Sequence, residues 1–179
     1  HWAEDGRLML LIAPPDILSK VNAENKEMEK SNRLCFISER LRLQGKSEDA
    51  INALKKAIEI SKNNSTALCL LGGILNDQNS PDAVQYYQKS IEYNKQCYLA
   101  YRGLGNYYLK IKDYPNAEMY YSKAIEINPN RFGPIYKNRG LARLEQNKKT
   151  TAKEDFTTYL TQMPNAADRR SILEAIKEL

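Results

Sequence analysis

The stretch Tyr98-Leu99-Ala100-Tyr101-Arg102-Gly103-Leu104-Gly105-Asn106-Tyr107-Tyr108-Leu109-Lys110, with Ala117 through Ala124 after it, decides how this chain folds. Tyr101, Leu104, Gly105 and Tyr108 stand at i, i+3, i+4 and i+7, the spacing of one helix face. Ala117, Tyr121 and Ala124 repeat that spacing in the second half. Lys112-Asp113 interrupts the two halves. Pro115 falls in the first turn of the second helix, where its missing N–H does no harm. Pro129 ends that helix. The small residue at Gly105 lets the second helix approach the first closely.

The same unit recurs along the chain. Ala50, Ala83, Ala117 and Ala152 are spaced by 33, 34 and 35 residues. Four residues after each stands a large side chain, namely Leu54, Tyr87, Tyr121 and Phe156. Three further on come Ala57, Ser90, Ala124 and Tyr159. Upstream of each Ala is a small residue, Ser38, Gly72, Gly105 or Gly140, preceded by Leu34, Leu68, Tyr101 or Tyr136. Gly45, the Asn76–Asn79 turn, Lys112-Asp113 and Asn147 are the predicted breaks within each pair. Ser80-Pro81 marks the start of another second helix, and Pro164 the end of one. A period of this length, repeated in phase, is the mark of a repeat architecture.

This pattern resembles the tetratricopeptide repeat (TPR) family, whose unit is a helix–turn–helix of about 34 residues. The unit at 98–131 carries the family signature most fully. Units 31–64 and 65–97 lack the terminal Pro, with Lys62 and Lys95 in its place. Unit 133–166 departs at Arg139, Arg143 and Tyr159. The resemblance implies an all-α, right-handed superhelical solenoid of antiparallel helix pairs. After it, Ile172, Leu173, Ile176 and Leu179 share one face of a helix at 167–179, the expected cap on the last repeat. Residues 1–30 do not fit the repeat. Arg7–Ile12 reads as a short buried strand or helix, and Pro14-Pro15-Asp16 as the start of a helix to about Lys30. That region is either an N-terminal cap or the tail of an upstream domain, and a chain starting at His1 reads as a fragment.

The chemistry of the chain points to binding rather than catalysis. The only His is His1. No nucleophile elbow, phosphate-binding loop or zinc-type Cys/His spacing occurs, so no catalytic residue, metal ligand or cofactor is expected. No apolar run is long enough to span a membrane. The three Cys are too few and too odd in number for a disulfide scaffold. Cys35 and Cys69 hold equivalent positions on first helices, which stack too far apart for a bridge, so both should be free thiols. Cys97 is expected to pack in the core. Most of the twelve Tyr fall at core positions (Tyr87, Tyr101, Tyr108, Tyr121, Tyr136), while Tyr86, Tyr93, Tyr107 and Tyr120 are less constrained.

The net charge is +5, carried by units of +3, −1, +2 and +3, with −2 on residues 1–30. A basic surface of this kind attracts an acidic peptide or a C-terminal carboxylate. Nucleic acid is disfavoured, because no Arg-rich stripe or recognised module is present. The family resemblance implies a protein-interaction scaffold with a concave groove lined by the first helix of each repeat. Relatives that bind chaperone C-termini clamp a carboxylate with Lys and Asn on one such helix, Asn on the next, and Lys and Arg on the third. Here Arg102 and Asn106 fall at the first pair of clamp positions and Asn138 at the middle one. Arg169 and Arg170 lie near the third set. Starting at the first repeat fails, since Cys35 and Glu39 occupy the needed places. The wider candidate groove set is Asn32, Glu39, Arg42, Arg102, Asn106, Lys110, Lys137 and Asn138. Rival readings are an accessory module of an enzyme lying upstream, or self-association through the N-terminal edge. The expected compartment is the cytoplasm.

Overall fold

Among the described residues, the breaks at Gly45, Asn79, Lys112 and Asn147 are set by one backbone device. Gly45, Asn79, Lys112 and Asn147 all have φ between 61° and 75°, the left-handed region. Each stands seven residues after the small residue of its unit. Each donates its N–H three residues back, and the next residue donates five back: Lys46 to the Leu41 carbonyl (2.9 Å), Ser80 to Leu75 (2.8 Å), Asp113 to Tyr108 (2.9 Å) and Lys148 to Arg143 (2.9 Å). This closes the helix end by satisfying its last carbonyls. Only Gly45 takes the conformation without steric cost; Lys112 pays most, having neither a missing Cβ nor an Asn side chain.

The structure is a computed structural model that describes residues 14–129 and 133–179. The described residues form helices α1 (Pro15–Leu43), α2 (Ser47–Ile60), α3 (Ser65–Asp77), α4 (Ala83–Tyr93), α5 (Tyr98–Lys110), α6 (Tyr114–Ile127), α7 (Gly133–Glu145), α8 (Lys149–Gln162) and α9 (Arg169–Glu178), and no strand. The reading of Arg7–Ile12 falls outside the described residues. Pro15 starts α1 as expected, but the helix does not stop near Lys30. It runs unbroken to Leu43, because no Gly or Pro stands between Asp16 and Leu43 to end it.

The chain divides into two compact units, the second starting at Leu68. In the first, α1 packs on α2, whose Ala50, Leu54 and Ala57 are buried. Asn64 ties this unit's polar interior together. Its Nδ2 donates to Ser31 Oγ (2.7 Å) and Asn32 Oδ1 (2.9 Å), and its Oδ1 accepts from the Ala67 N–H (3.1 Å). Ser31 in turn donates to the Ala57 carbonyl at 2.8 Å. The Ser31 hydroxyl and both side-chain polar atoms of Asn64 are thus used, as their burial demands.

In the second unit, α5 through α9 each pack on the helix before them. The seam is a glycine of one helix against an aromatic ring of the next. A Cβ added to Gly105 would lie 2.6 Å from the Tyr121 ring, and one on Gly140 would lie 2.7 Å from Phe156. Tyr87 is gripped from two sides, since a Cβ would lie 2.9 Å away at Gly72 and 2.3 Å away at Gly103. The cap helix α9 buries Ile172 against Leu160 and Phe156, with Ile176 and Leu179 packed alongside. Leu173, expected on that same face, is 39% exposed.

Alanine substitutions separate these glycines. At Gly73 the nearest atom to a new Cβ is 3.9 Å away, so Gly73→Ala should keep the roughly 1 kcal/mol that Ala gains over Gly in a helix. Gly103→Ala meets a rigid ring at 2.3 Å and should lose about 1–3 kcal/mol to overpacking, with little of the propensity gain left. Thermal melts should rise for the first variant and fall for the second. Equal melts would mean the ring gives way.

Candidate binding surface

The densest polar cluster lies where the pattern breaks from apolar consensus. Arg139 and Arg143 on α7 stand where the preceding unit has Leu104 and Tyr108, and Asp155 on α8 stands where it has Tyr120. Tyr108 and Tyr120 stack with centroids 5.3 Å apart. At the equivalent place Arg143 Nη1 meets Asp155 Oδ2 at 3.0 Å, so an ion pair replaces an aromatic stack. Arg139 makes a two-pronged contact with the same carboxylate (2.6 and 2.9 Å) and donates to Ser122 Oγ on α6. Arg143 also reaches Glu118 on α6 at 2.9 Å, and Lys148 reaches Glu118 at 2.6 Å. The Asp155 side chain is 3% exposed, so its charge is tolerable only because two guanidinium groups face it. Burial pushes Glu118 up, but hydrogen bonds from Lys148, Arg143 and Gln146 outweigh it and hold the carboxyl below its ordinary range. Sequence reading marked Arg139 and Arg143 as departures. It missed Asp155, whose signal is a carboxylate at a position that is Ala53, Tyr86 or Tyr120 in the other units.

A second anchor joins the cap. Asp168 accepts from Lys137 Nζ at 2.7 Å and from the Tyr159 hydroxyl. These bonds, Lys137 first, hold the Asp168 carboxyl below its ordinary range, and Asp168 holds Tyr159 up at about 12.

The candidate groove residues separate into distinct settings. Asn106 and Asn138 come together: Asn106 Oδ1 accepts from the Tyr121 hydroxyl (2.7 Å) and from Asn138 Nδ2 (3.4 Å). Arg102, half-buried, lies one turn before Asn106 on α5. Exposed Lys110 lies one turn after it and donates to the Asn76 carbonyl at 3.4 Å. Lys137, although next to Asn138 in sequence, turns to Asp168 and sits 5.4 Å over the Tyr159 ring. In the first unit, Glu39 and Arg42 pair at 3.3 Å on α1, and Asn32 belongs to the Asn64 knot. Arg169 and Arg170 are exposed; Arg169 donates to the Leu160 carbonyl and Arg170 to Glu174. Among the tyrosines left open, Tyr120 stacks on Tyr108 and Tyr107 meets Tyr108 edge-on at 5.5 Å, while Tyr93 is exposed. All three cysteines are free, with Cys35 and Cys69 buried and Cys97 half-buried. No group of three or more His, Cys, Asp or Glu among the described residues is placed to hold a metal, and no described helix is long and apolar enough to cross a membrane.

Two measurements check these clusters. Asp155→Ala leaves Arg139 facing no carboxylate and should cost about 3 kcal/mol or more in a denaturant melt. Copying the preceding unit with Arg139→Leu, Arg143→Tyr and Asp155→Tyr together should restore stability to near wild type, because well-packed apolar groups commonly match a buried ion set. Asp168 supplies the pH test. Its depressed pKa makes its stabilisation complete above the ordinary carboxylate value, about 4, and lost as the pH falls below it. The melting-temperature gap between wild type and Asp168→Asn should therefore be open at pH 7 and narrow as the pH falls below about 4.

Comparison with known proteins agrees with this architecture. A sequence model of the tetratricopeptide repeat matches residues 98–131, and a second model of the same repeat matches 34–64. No curated protein sequence matches the chain. The fold is similar to that of PilF from Pseudomonas aeruginosa, with TM-score 0.75 and 22% identity over 86% of this chain and 72% of that one. It is also similar to MamA from Desulfovibrio magneticus RS-1, with TM-score 0.68 and 21% identity over 83% and 92% of the two chains. A chain of the Cut9–Hcn1 hetero-tetramer of the APC/C matches at TM-score 0.74 and 16% identity, over 82% of this chain but only 30% of that one. With its helix pairs and recurrent left-handed turns around both matched segments, the chain carries tetratricopeptide repeats at 34–64 and 98–131, the repeat of protein-interaction scaffolds in general.

Proposed function

We propose that the chain binds an extended peptide or partner segment along the face carrying Arg102, Asn106 and Asn138, and anchors an acidic or C-terminal carboxylate there. The observation that supports this reading is the meeting of Asn106 and Asn138 across α5 and α7, with Arg102 one helical turn away. A guanidinium beside two amides is a donor set suited to a carboxylate, which accepts charge-assisted hydrogen bonds from two sides. Apolar contact along the groove would supply the rest of the affinity. The reading divides the chain into repeats 31–64, 65–97, 98–131 and 133–166 with a cap at 167–179. It assigns a binding role and no catalysis. The three free thiols favour a reducing compartment such as the cytoplasm.

Fluorescence anisotropy with a labelled acidic peptide tests it, comparing a free C-terminal carboxylate with its amide. The carboxylate form should bind at least about tenfold more tightly, the worth of one charged hydrogen bond. Arg102→Ala with Asn138→Ala should erase that preference while the circular-dichroism melt stays cooperative. Equal binding of both peptides, or a preference that survives the double variant, would move the anchor elsewhere.

A further inference from the structure

Cys97 and Cys69 hold different places in their repeats but meet in one core. Cys97 is the N-cap of α5, and Cys69 lies inside α3. Cys97 packs against the cluster of Cys69, Ala83, Tyr87, Ala100 and Leu104. Cys69 and Cys97 thus lie in one packed cluster, and the Ser90 hydroxyl donates to Cys97 Sγ at 3.5 Å. Exposure separates them: Cys97 is half-buried, whereas Cys69 is 8% exposed.

These surroundings polarise the pair. The Cys69 thiol in the same cluster does most to bring Cys97 down to about 6. Burial opposes it, and Ser90 with the backbone amides of Ala100 and Leu99 adds to it. Cys69 is pushed up, first by the Cys97 sulfur beside it and then by burial. Cys35 is likewise held up by burial, at about 11. The half-buried sulfur is thus the more acidic of the two and its inner neighbour the less, the division of roles found between a reactive cysteine and a resolving one.

We propose that Cys97 is a peroxide-reactive modification site and Cys69 its resolving thiol, so that a hydroperoxide closes a disulfide between α3 and the start of α5. The Cys97 thiolate attacks the outer oxygen of hydrogen peroxide. The O–O bond breaks, hydroxide leaves and takes up a proton as water, and Cys97 becomes a sulfenic acid. The Cys69 sulfur then attacks the Cys97 sulfur. The S–O bond breaks, and the departing hydroxide leaves as a second water with the Cys69 proton. Two thiols are oxidised by two electrons in all, and one peroxide is reduced to two waters.

The test is peptide mapping of the full chain after hydrogen peroxide at pH 7 and capping with N-ethylmaleimide. Trypsin should yield residues 63–89 joined to 96–102, two hydrogens lighter than the separate thiol peptides, with residues 34–40 still carrying a capped Cys35. Before oxidation, Cys97 should react with maleimide at least about tenfold faster than Cys35. Cys69→Ser should leave a Cys97 sulfenic acid that dimedone traps, and Cys97→Ser should leave Cys69 reduced. A wild-type map with no joined peptide, or a dimedone adduct that accumulates in wild type as in Cys69→Ser, overturns the pairing. Oxidation of Cys35 as fast as Cys97 overturns the assignment of the reactive thiol. The wild-type map decides the matter even if a serine variant fails to fold.

Discussion

The contact on which the rest of the second unit depends is a flat aromatic ring lying against bare glycine backbone. Tyr87, Tyr121 and Phe156 each occupy space that a single extra carbon on the facing helix would fill. The closeness lets a large ring on one helix cover two turns of another without a void, and dense interiors penalise voids heavily. It also fixes where the chain must turn. The small residue sets the depth of contact, and seven residues later the backbone enters the left-handed region to reverse direction. Spacing and packing are therefore one constraint seen along the chain and across it.

Within that frame the side chains around the seam are replaceable as sets. A Tyr108–Tyr120 stack in one repeat becomes an Arg143–Asp155 pair in the next. Neither position changes alone: an arginine without the aspartate would be a buried charge facing a ring, and the aspartate without arginine would be worse. The charged set does something the stack does not. Arg139 and Arg143 reach Ser122 and Glu118 on the helix before, so α7 is keyed to α6 by bonds with fixed donors and acceptors. Apolar faces tolerate sliding better than such a set does.

The helices, their breaks and the glycine seam were legible in the sequence, since each rests on local periodicity or on a residue's own backbone preference. The turns at Gly45, Asn79, Lys112 and Asn147 fell where the breaks were expected, although Lys112 offers no turn chemistry of its own. What the sequence concealed depends on partners distant along the chain. α1 passes Lys30 because repeat phase marks where equivalence begins and has no power to stop a helix. Leu173 lies beside Ile172 on a projected face, but α9 presents only part of that face to α8. Lys137 and Asn138 were grouped as neighbours. A step of one residue rotates a helix by about 100°, so one turned to the cap and the other to Asn106.

Equivalent positions also diverge in chemistry once their surroundings differ. Cys35, Cys69, Arg102 and Lys137 all follow the bulky residue of their first helix. Cys35 is hydrogen-bonded by Asn64 and is held up by burial. Cys69 meets Cys97, which enters from the loop before α5 rather than from any matching repeat position. At the matching positions of α5 and α7 the chain puts cations, one a helical turn before Asn106 and one bound to Asp168. A repeat therefore specifies where a side chain stands and which helices flank it, while its reactivity follows from whichever loop or terminus reaches that point. Residue identity and repeat register suffice to place the scaffold, and the charged, amide and thiol groups acquire their roles only from the neighbours that the fold brings to them.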